Sequence, residues 1–173
     1  MSGVILYLHI VGAITLFSGL IAAPEAMLRM ERASSETRSE LASMARAMSG
    51  MATGGGGLAL LFGLYMVFTE LEAGVRVYNF GDAWIDNSLA LLLIMLPVIY
   101  LVMVPRLRAI ADGDGVANDP VLWITTTTLL GATFGIEYLM VMEPDDHTFT
   151  TDGVLLLFLL LGAGAGWLRT REA

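Results

Sequence analysis

The sequence predicts an all-α, polytopic transmembrane helix bundle of five spans, with the amino terminus outside the cell and the carboxy terminus inside. Two observations carry this prediction: five apolar runs long enough to cross a bilayer, and arginines that fall on alternate connections between them. Of the 173 residues, 56% are hydrophobic and 15% are charged, whereas soluble domains carry about 25% charged residues. We therefore expect a single integral membrane domain, residues 1–173, in the cell (plasma) membrane.

The first apolar run, residues 4–23, contains one strongly polar side chain, His9. A helix of about 20 apolar residues crosses the hydrocarbon core of a bilayer, so this run is predicted to be a span. The same argument predicts further spans at about 51–69, 84–104, 121–142 and 150–168.

The connection between the first two spans, residues 24–47, is too polar to lie in lipid, yet it is expected to be helical. Ser34 or Ser35 provides the side-chain oxygen that a helix N-cap requires. Spans one and two are therefore predicted to form a helical hairpin that projects into the cytoplasm, with an irregular loop as the alternative.

Arginine placement predicts the orientation of the bundle, because cytoplasmic loops of membrane proteins carry the excess of basic residues. The second connection contains Arg76 beside several acidic residues, and the fourth connection contains no arginine. The first connection, the third connection and the tail hold the others, which are Arg29, Arg32, Arg38, Arg46, Arg106, Arg108, Arg169 and Arg171. This alternation predicts an outer amino terminus and an inner carboxy terminus.

Composition excludes several classes of function. The chain has no cysteine, so it has neither disulfides nor a thiolate metal site, and all nine basic residues are arginine, which excludes a lysine Schiff base. A net charge of −8 argues against binding to nucleic acid. The expected partners are the lipid bilayer and, through glycine-rich helix faces, a second copy of the chain or a larger membrane complex.

Glycines cluster in three of the predicted spans. The run 54–57 in the second span is interpreted as a surface where a neighbouring helix packs closely, with a broken helix that lines a ligand site as the alternative. Gly131 and Gly135 in the fourth span form a small-xxx-small motif, and so do Gly50 with Gly54 and Gly162 with Gly166. Such motifs allow helix backbones to approach each other and specify packing rather than chemistry.

His9 and Glu137 are the ionisable side chains that stand out inside the spans, where such residues usually face the bundle or a wet cavity. Each lies five residues, or about 8 Å, from the outer end of its helix. The two side chains are expected to pair if spans one and four are neighbours. His9 shares its helix face with the small residues Gly12, Ala13 and Gly19, so it should point into the bundle, and Tyr138 lies at a similar depth.

The leading functional hypothesis is an outer-leaflet polar site in which His9 and Glu137 bind or pass a proton or a metal ion. A histidine–glutamate hydrogen bond that only locks helix packing is the structural alternative. A second hypothesis is a haem- or quinone-binding redox component in which His9, Glu137 and Tyr138 contact the cofactor, since a neutral imidazole is a common metal ligand. A third is a non-catalytic accessory subunit of a larger membrane complex. His147, in an acidic loop, is a weaker candidate cation ligand.

Two stretches resemble a known group of proteins. The segment 8–19 (LHIVGAITLFSG) resembles the first helix of small bacterial integral membrane proteins of the CopD-like type and, more distantly, of the HemJ haem-dependent protoporphyrinogen oxidases. The segment 138–144 (YLMVMEP) resembles the end of their fourth helix. The resemblance implies a four-helix core with one added span, and it makes His9 the natural candidate for a haem ligand.

Overall fold

The part of the chain that the computed structural model describes, residues 3–69, 80–144 and 149–171, is almost entirely helical. Its α-helices are α1 (Gly3–Arg32), α2 (Ser35–Phe68), α3 (Ala83–Val98), α4 (Val104–Ala111), α5 (Pro120–Met142) and α6 (Phe149–Arg171). A π-helical segment, Ile99–Met103, joins α3 to α4. Five segments are long and apolar enough to cross a membrane: α1, α2, α3 through α4, α5, and α6 from Thr151. The predicted all-α fold with five helices of membrane-spanning length is confirmed.

Helices α1 and α2 are antiparallel neighbours joined by a short turn at residues 33–34. Ser34 is the N-cap of α2, and its hydroxyl oxygen accepts a hydrogen bond from the backbone N–H of Thr37 at 3.4 Å. Arg38 donates to the carbonyl oxygens of Met30 and Ala33, each at 3.2 Å. These bonds satisfy carbonyls at the end of α1 that have no partner within the helix.

Glycine allows α1 and α2 to touch backbone to backbone. A Cβ atom added at Gly12 would lie 2.5 Å from the backbone nitrogen of Ala59, and one added at Gly55 would lie 2.6 Å from that of Leu16. Gly56 faces Leu96 of α3 instead. Because α2 is unbroken through the glycine run, the packing interpretation is confirmed for Gly55 and Gly56, and the broken-helix alternative is wrong.

The other glycine motifs divide between packed and open positions. Gly131 and Gly135 of α5 contact Phe158 and Leu155 of α6, whereas Gly162 and Gly166 of α6 contact Thr127 and Ile124 of α5. By contrast, Gly50 and Gly54 of α2 have open space beside them, so this pair does not hold two helices of the chain together. Helix α6 therefore packs mainly along α5.

The π-helical segment lies between two prolines, Pro97 and Pro105. Inside an α-helix, a proline ring collides with the carbonyl group four residues earlier. The backbone N–H of Val104 donates to the carbonyl of Ile99, five residues back, which widens the helix just before Pro105. The widening lets the third span continue past the proline, and Ile99 and Met103 remain buried in the core.

Polar side chains of the described residues tie the helices together at the end of the bundle where α1 ends, here called the arginine end. Glu31 of α1 accepts hydrogen bonds from Arg169 of α6 and from the indole nitrogen of Trp123 in α5, the latter at 3.1 Å. Arg106 forms an ion pair with Asp119 at 2.6 Å. The opposite end, where α1 begins, is called the amino-terminal end and holds the candidate site.

Candidate functional site

A cavity of about 250 Å³ lies at the amino-terminal end of the bundle. Its walls come from α1, α2, α3 and the end of α5, and most of the side chains that line it are apolar, including Leu64, Val67, Ile85, Leu92 and Met140. The polar groups in its lining are few: the imidazole of His9, the hydroxyl of Ser88, the indole of Trp84 and the carboxylate of Glu143. A mostly apolar cavity with a few convergent polar groups is the usual form of a small-molecule site.

His9 is positioned by α2. Its Nδ1 lies 2.8 Å from the carbonyl oxygen of Ala59, and its ring lies against Gly63, where a Cβ atom would come within 3.1 Å of Cε1. A larger residue at 63 would therefore displace the imidazole. His9 lies on the small-residue face of α1 and points towards α2, as its spacing predicted, and its Nε2 has no hydrogen-bond partner among the described residues.

Ser88 of α3 is the second polar group in the wall of the cavity. Its side chain is buried, with 5% exposure, and its Oγ has no hydrogen-bond partner among the residues that the structure describes. Ser49 of α2 is also buried, but its Oγ donates to the carbonyl of Ala45 at 2.9 Å. Leaving a buried hydroxyl unpaired costs about 1–3 kcal/mol. Ser88 is therefore a buried polar group without a hydrogen-bond partner in the described part of the chain.

The mouth of the cavity is shaped where α3 begins and α5 ends. The backbone N–H of Trp84 donates to the carbonyl of Pro144 at 3.3 Å and so holds the two helix ends together. Glu143 ends α5 in a left-handed conformation, with φ of 43°, and its backbone N–H donates to the carbonyl of Leu139. The exposed carboxylate of Glu143 consequently lies at the rim rather than inside.

The structure does not bring Glu137 to His9. Glu137 is exposed on the outside of α5, and no hydrogen bond or ion pair joins it to any described residue. Tyr138 is half-buried, and its ring packs against Phe158 of α6 with 6.3 Å between ring centroids. Neither Glu137 nor Tyr138 lines the cavity, to which α5 contributes Met140 and its C-cap residue Glu143. The assignment of Glu137 and Tyr138 as metal or cofactor contacts stays a prediction.

Among the described residues, no three His, Asp or Glu side chains lie close enough together to hold a metal ion. The structure therefore offers no support for the metal-binding hypothesis. His147 and Arg76, which entered the sequence arguments, lie outside the described residues. At the start of α3, Asp86 accepts a hydrogen bond from the backbone N–H of Gly81, and Asn87 donates one to Asp152 of α6 at 2.9 Å.

Sequence reasoning missed the three residues that complete the site: Ala59, Gly63 and Ser88. A weak signal existed for Ser88, which follows Trp84 by four residues and therefore shares its helix face. Gly63 and Ala59 gave no signal, because four of the five predicted spans contain glycine and every residue has a backbone carbonyl. Only their position opposite His9 makes them part of the site.

Comparisons with models of protein families, with curated proteins and with solved structures give no match for this chain. The resemblance to CopD-like proteins therefore stays a prediction.

Proposed function

We propose that this protein binds a small lipid-soluble molecule with a hydrogen-bonding ring, of the quinone and quinol class, in the cavity beside His9. The observation that carries the proposal is the buried hydroxyl of Ser88, which has no partner among the described residues and lies in the wall of the same apolar cavity as the imidazole of His9. A ligand with oxygen atoms on a ring would pair with both groups. The rest of the ring would be covered by the apolar lining.

The chemistry of the lining supports a ligand that comes from the lipid phase. Leu6 and Ile10 of α1 line the cavity and are also exposed on the outside of the bundle. In a membrane these side chains would face hydrocarbon, so an apolar ligand would reach the cavity without crossing an aqueous phase. Quinones and quinols are such ligands.

The size of the cavity favours a single ring over a macrocycle. Its volume of about 250 Å³ is near the lower limit of ordinary ligand pockets, which hold roughly 300–1,000 Å³. A haem group is much larger than one substituted benzene ring. The haem hypothesis therefore has less support than the quinone hypothesis, although His9 is the group that both would use.

The depth of the site follows from an orientation that we infer from the charges. The described arginines at the connections lie near the arginine end, for example Arg32, Arg106 and Arg169. Because basic residues gather on the cytoplasmic side of membrane proteins, this end would be cytoplasmic. The cavity would then lie in the outer leaflet of the cell membrane, with the amino terminus outside.

The proposal is tested with protein purified into lipid nanodiscs and titrated with a decyl-tailed benzoquinone and its quinol, with bound ligand measured after separation from free ligand. We expect saturable binding of at least one of the two forms, weakened tenfold or more in Ser88→Ala and His9→Phe. The matched controls are Ser49→Ala, a buried serine outside the cavity, and Tyr7→Phe, an exposed residue of α1. Both controls should bind as the unaltered protein does.

An optical spectrum and metal analysis of the same preparation separate the alternatives. A haem absorption band that disappears in His9→Phe would overturn the quinone proposal in favour of haem. Stoichiometric metal that depends on His9 and Glu137 would favour the ion-binding hypothesis. If neither ligand form binds and larger subunits co-purify with the protein, the accessory-subunit hypothesis gains support instead.

A further inference from the structure

The hydrogen bond from His9 to Ala59 determines which ring nitrogen carries the proton. A carbonyl oxygen can only accept hydrogen bonds, so Nδ1, which lies 2.8 Å from the Ala59 oxygen, must be the donor. In a neutral imidazole, one nitrogen donates and the other accepts. The contact with Ala59 therefore leaves Nε2 as an acceptor, and Nε2 is the nitrogen without a partner among the described residues.

The backbone of α2 makes this tautomer persistent. The Ala59 carbonyl lies inside an unbroken α-helix, so its position does not depend on the rotamer of a side chain. Gly63, one helical turn further along, leaves the space in which the imidazole ring lies. A hydroxyl in place of the Ala59 carbonyl could donate or accept and would allow either tautomer, whereas a backbone carbonyl allows only one.

Ser88 does not impose a similar restriction. A serine hydroxyl rotates to donate or to accept, so it pairs with a ligand carbonyl and with a ligand hydroxyl alike. Between His9 and Ser88, therefore, only His9 distinguishes a ligand that donates a hydrogen bond from a ligand that only accepts one.

We propose that the site binds the quinol in preference to the quinone, because a ligand hydroxyl must donate to His9 Nε2. This inference rests on the proposed function. A quinone offers two carbonyl oxygens, both acceptors, and would place an acceptor opposite the Nε2 lone pair. Sites built to pair with a hydroxyl discriminate strongly against analogues that lack it, since the site's own polar group is then left unpaired.

The test compares three ligands on the same nanodisc preparation: a decyl-tailed benzoquinone, its quinol, and the dimethyl ether of that quinol. The ether keeps the ring and tail of the quinol, but a methyl group replaces the hydrogen of each hydroxyl, so it has no O–H donor. Measurements are made without oxygen and at the same pH for all three ligands. We expect the quinol to bind at least tenfold more tightly than the quinone and the ether.

The variant His9→Phe lacks the Nε2 acceptor, so it should bind the three ligands with similar affinity, weaker than that of the unaltered protein for the quinol. Ser49→Ala should keep the preference for the quinol. Quinone or ether binding as tight as that of the quinol overturns this inference and leaves the proposed function intact. Absence of binding by all three ligands overturns both. The ligand comparison uses the unaltered protein, so the result stands even if His9→Phe fails to fold.

Discussion

At the scale of single residues, the orientation of His9 depends on the absence of a side chain opposite it. The imidazole fits between the Ala59 carbonyl and the bare backbone of Gly63, and a Cβ atom at Gly63 would lie 3.1 Å from Cε1 and 3.3 Å from Nδ1. Both distances are shorter than ordinary van der Waals contact, so the ring would have to move. Since one hydrogen bond holds the ring, a small movement is enough to weaken it.

Substituting Gly63→Ala should therefore weaken quinol binding by about tenfold, equivalent to roughly 1.4 kcal/mol. The matched control is Gly57→Ala in the same helix, where a Cβ atom would have open space and should leave affinity unchanged. Both are measured by quinol titration in nanodiscs. Equal affinity in the two variants would show that the contact with Gly63 does not position His9.

At the scale of secondary-structure elements, the glycines of α2 differ between the face of the helix that packs on α1 and the face that does not. Gly55 lies against the backbone of α1, where a Cβ atom would come 2.6 Å from the Leu16 nitrogen, whereas Gly54 has open space beside it. The two residues are adjacent in sequence and have the same intrinsic helix propensity. Any difference between their substitutions therefore measures helix packing rather than helix formation.

Gly55→Ala should lower the free energy of unfolding by about 1–3 kcal/mol, because overpacking forces the two backbones apart. Gly54→Ala should be neutral or stabilising by up to about 1 kcal/mol, the difference in helix propensity between the residues. Reversible unfolding in mixed detergent micelles gives both values. A stabilised Gly55→Ala variant would contradict the close contact between α1 and α2.

At the scale of the whole molecule, Glu31 connects three helices that are far apart in sequence. Its carboxylate accepts from Trp123 of α5 and from Arg169 of α6, with 13% of its side chain and 27% of the Arg169 side chain exposed. The guanidinium of Arg169 also lies 5.8 Å from the centre of the Trp123 ring. By comparison, the ion pair of Glu25 with Arg29 lies within α1 and is mostly exposed.

Glu31→Ala should destabilise the bundle by about 3 kcal/mol, because it leaves a largely buried arginine charge without a partner. Glu25→Ala should change stability by less than about 1 kcal/mol, as is usual for exposed ion pairs. The midpoints of unfolding of the two variants in the same detergent provide the comparison. Equal midpoints would mean that Glu31 does not hold the three helices together.

The orientation of the whole bundle is testable because the chain contains no cysteine. Gly3→Cys and Ala173→Cys introduce single thiols near the two termini, and a maleimide that cannot cross the membrane labels only thiols exposed outside the cell. We expect labelling of the Gly3→Cys variant in intact cells, and of the Ala173→Cys variant only after lysis. Labelling of both in intact cells would contradict an odd number of spans.

Much of the fold could be predicted from sequence because the length of an apolar run is counted directly along the chain. Hydrocarbon thickness requires runs of a certain length, so five helices of membrane-spanning length could be predicted directly from the chain. The direction in which each side chain points was harder to predict. His9 was placed correctly because small residues mark one face of α1, whereas Glu137 lies in a helix that is apolar on every side. In such a helix, periodicity does not distinguish the face towards the protein from the face towards lipid.

The amino-acid sequence alone predicted five helices of membrane-spanning length and the place of His9 near the start of the first one, since both follow from counting residues along helices of constant rise. Tertiary structure decided which groups meet. It placed the Ala59 carbonyl and Gly63 against His9, and it left the Ser88 hydroxyl in the same cavity without a partner among the described residues, while Glu137 lies outside. The reason is that contacts between helices depend on their rotation about their own axes. That rotation is set by close packing of glycine faces from distant parts of the chain.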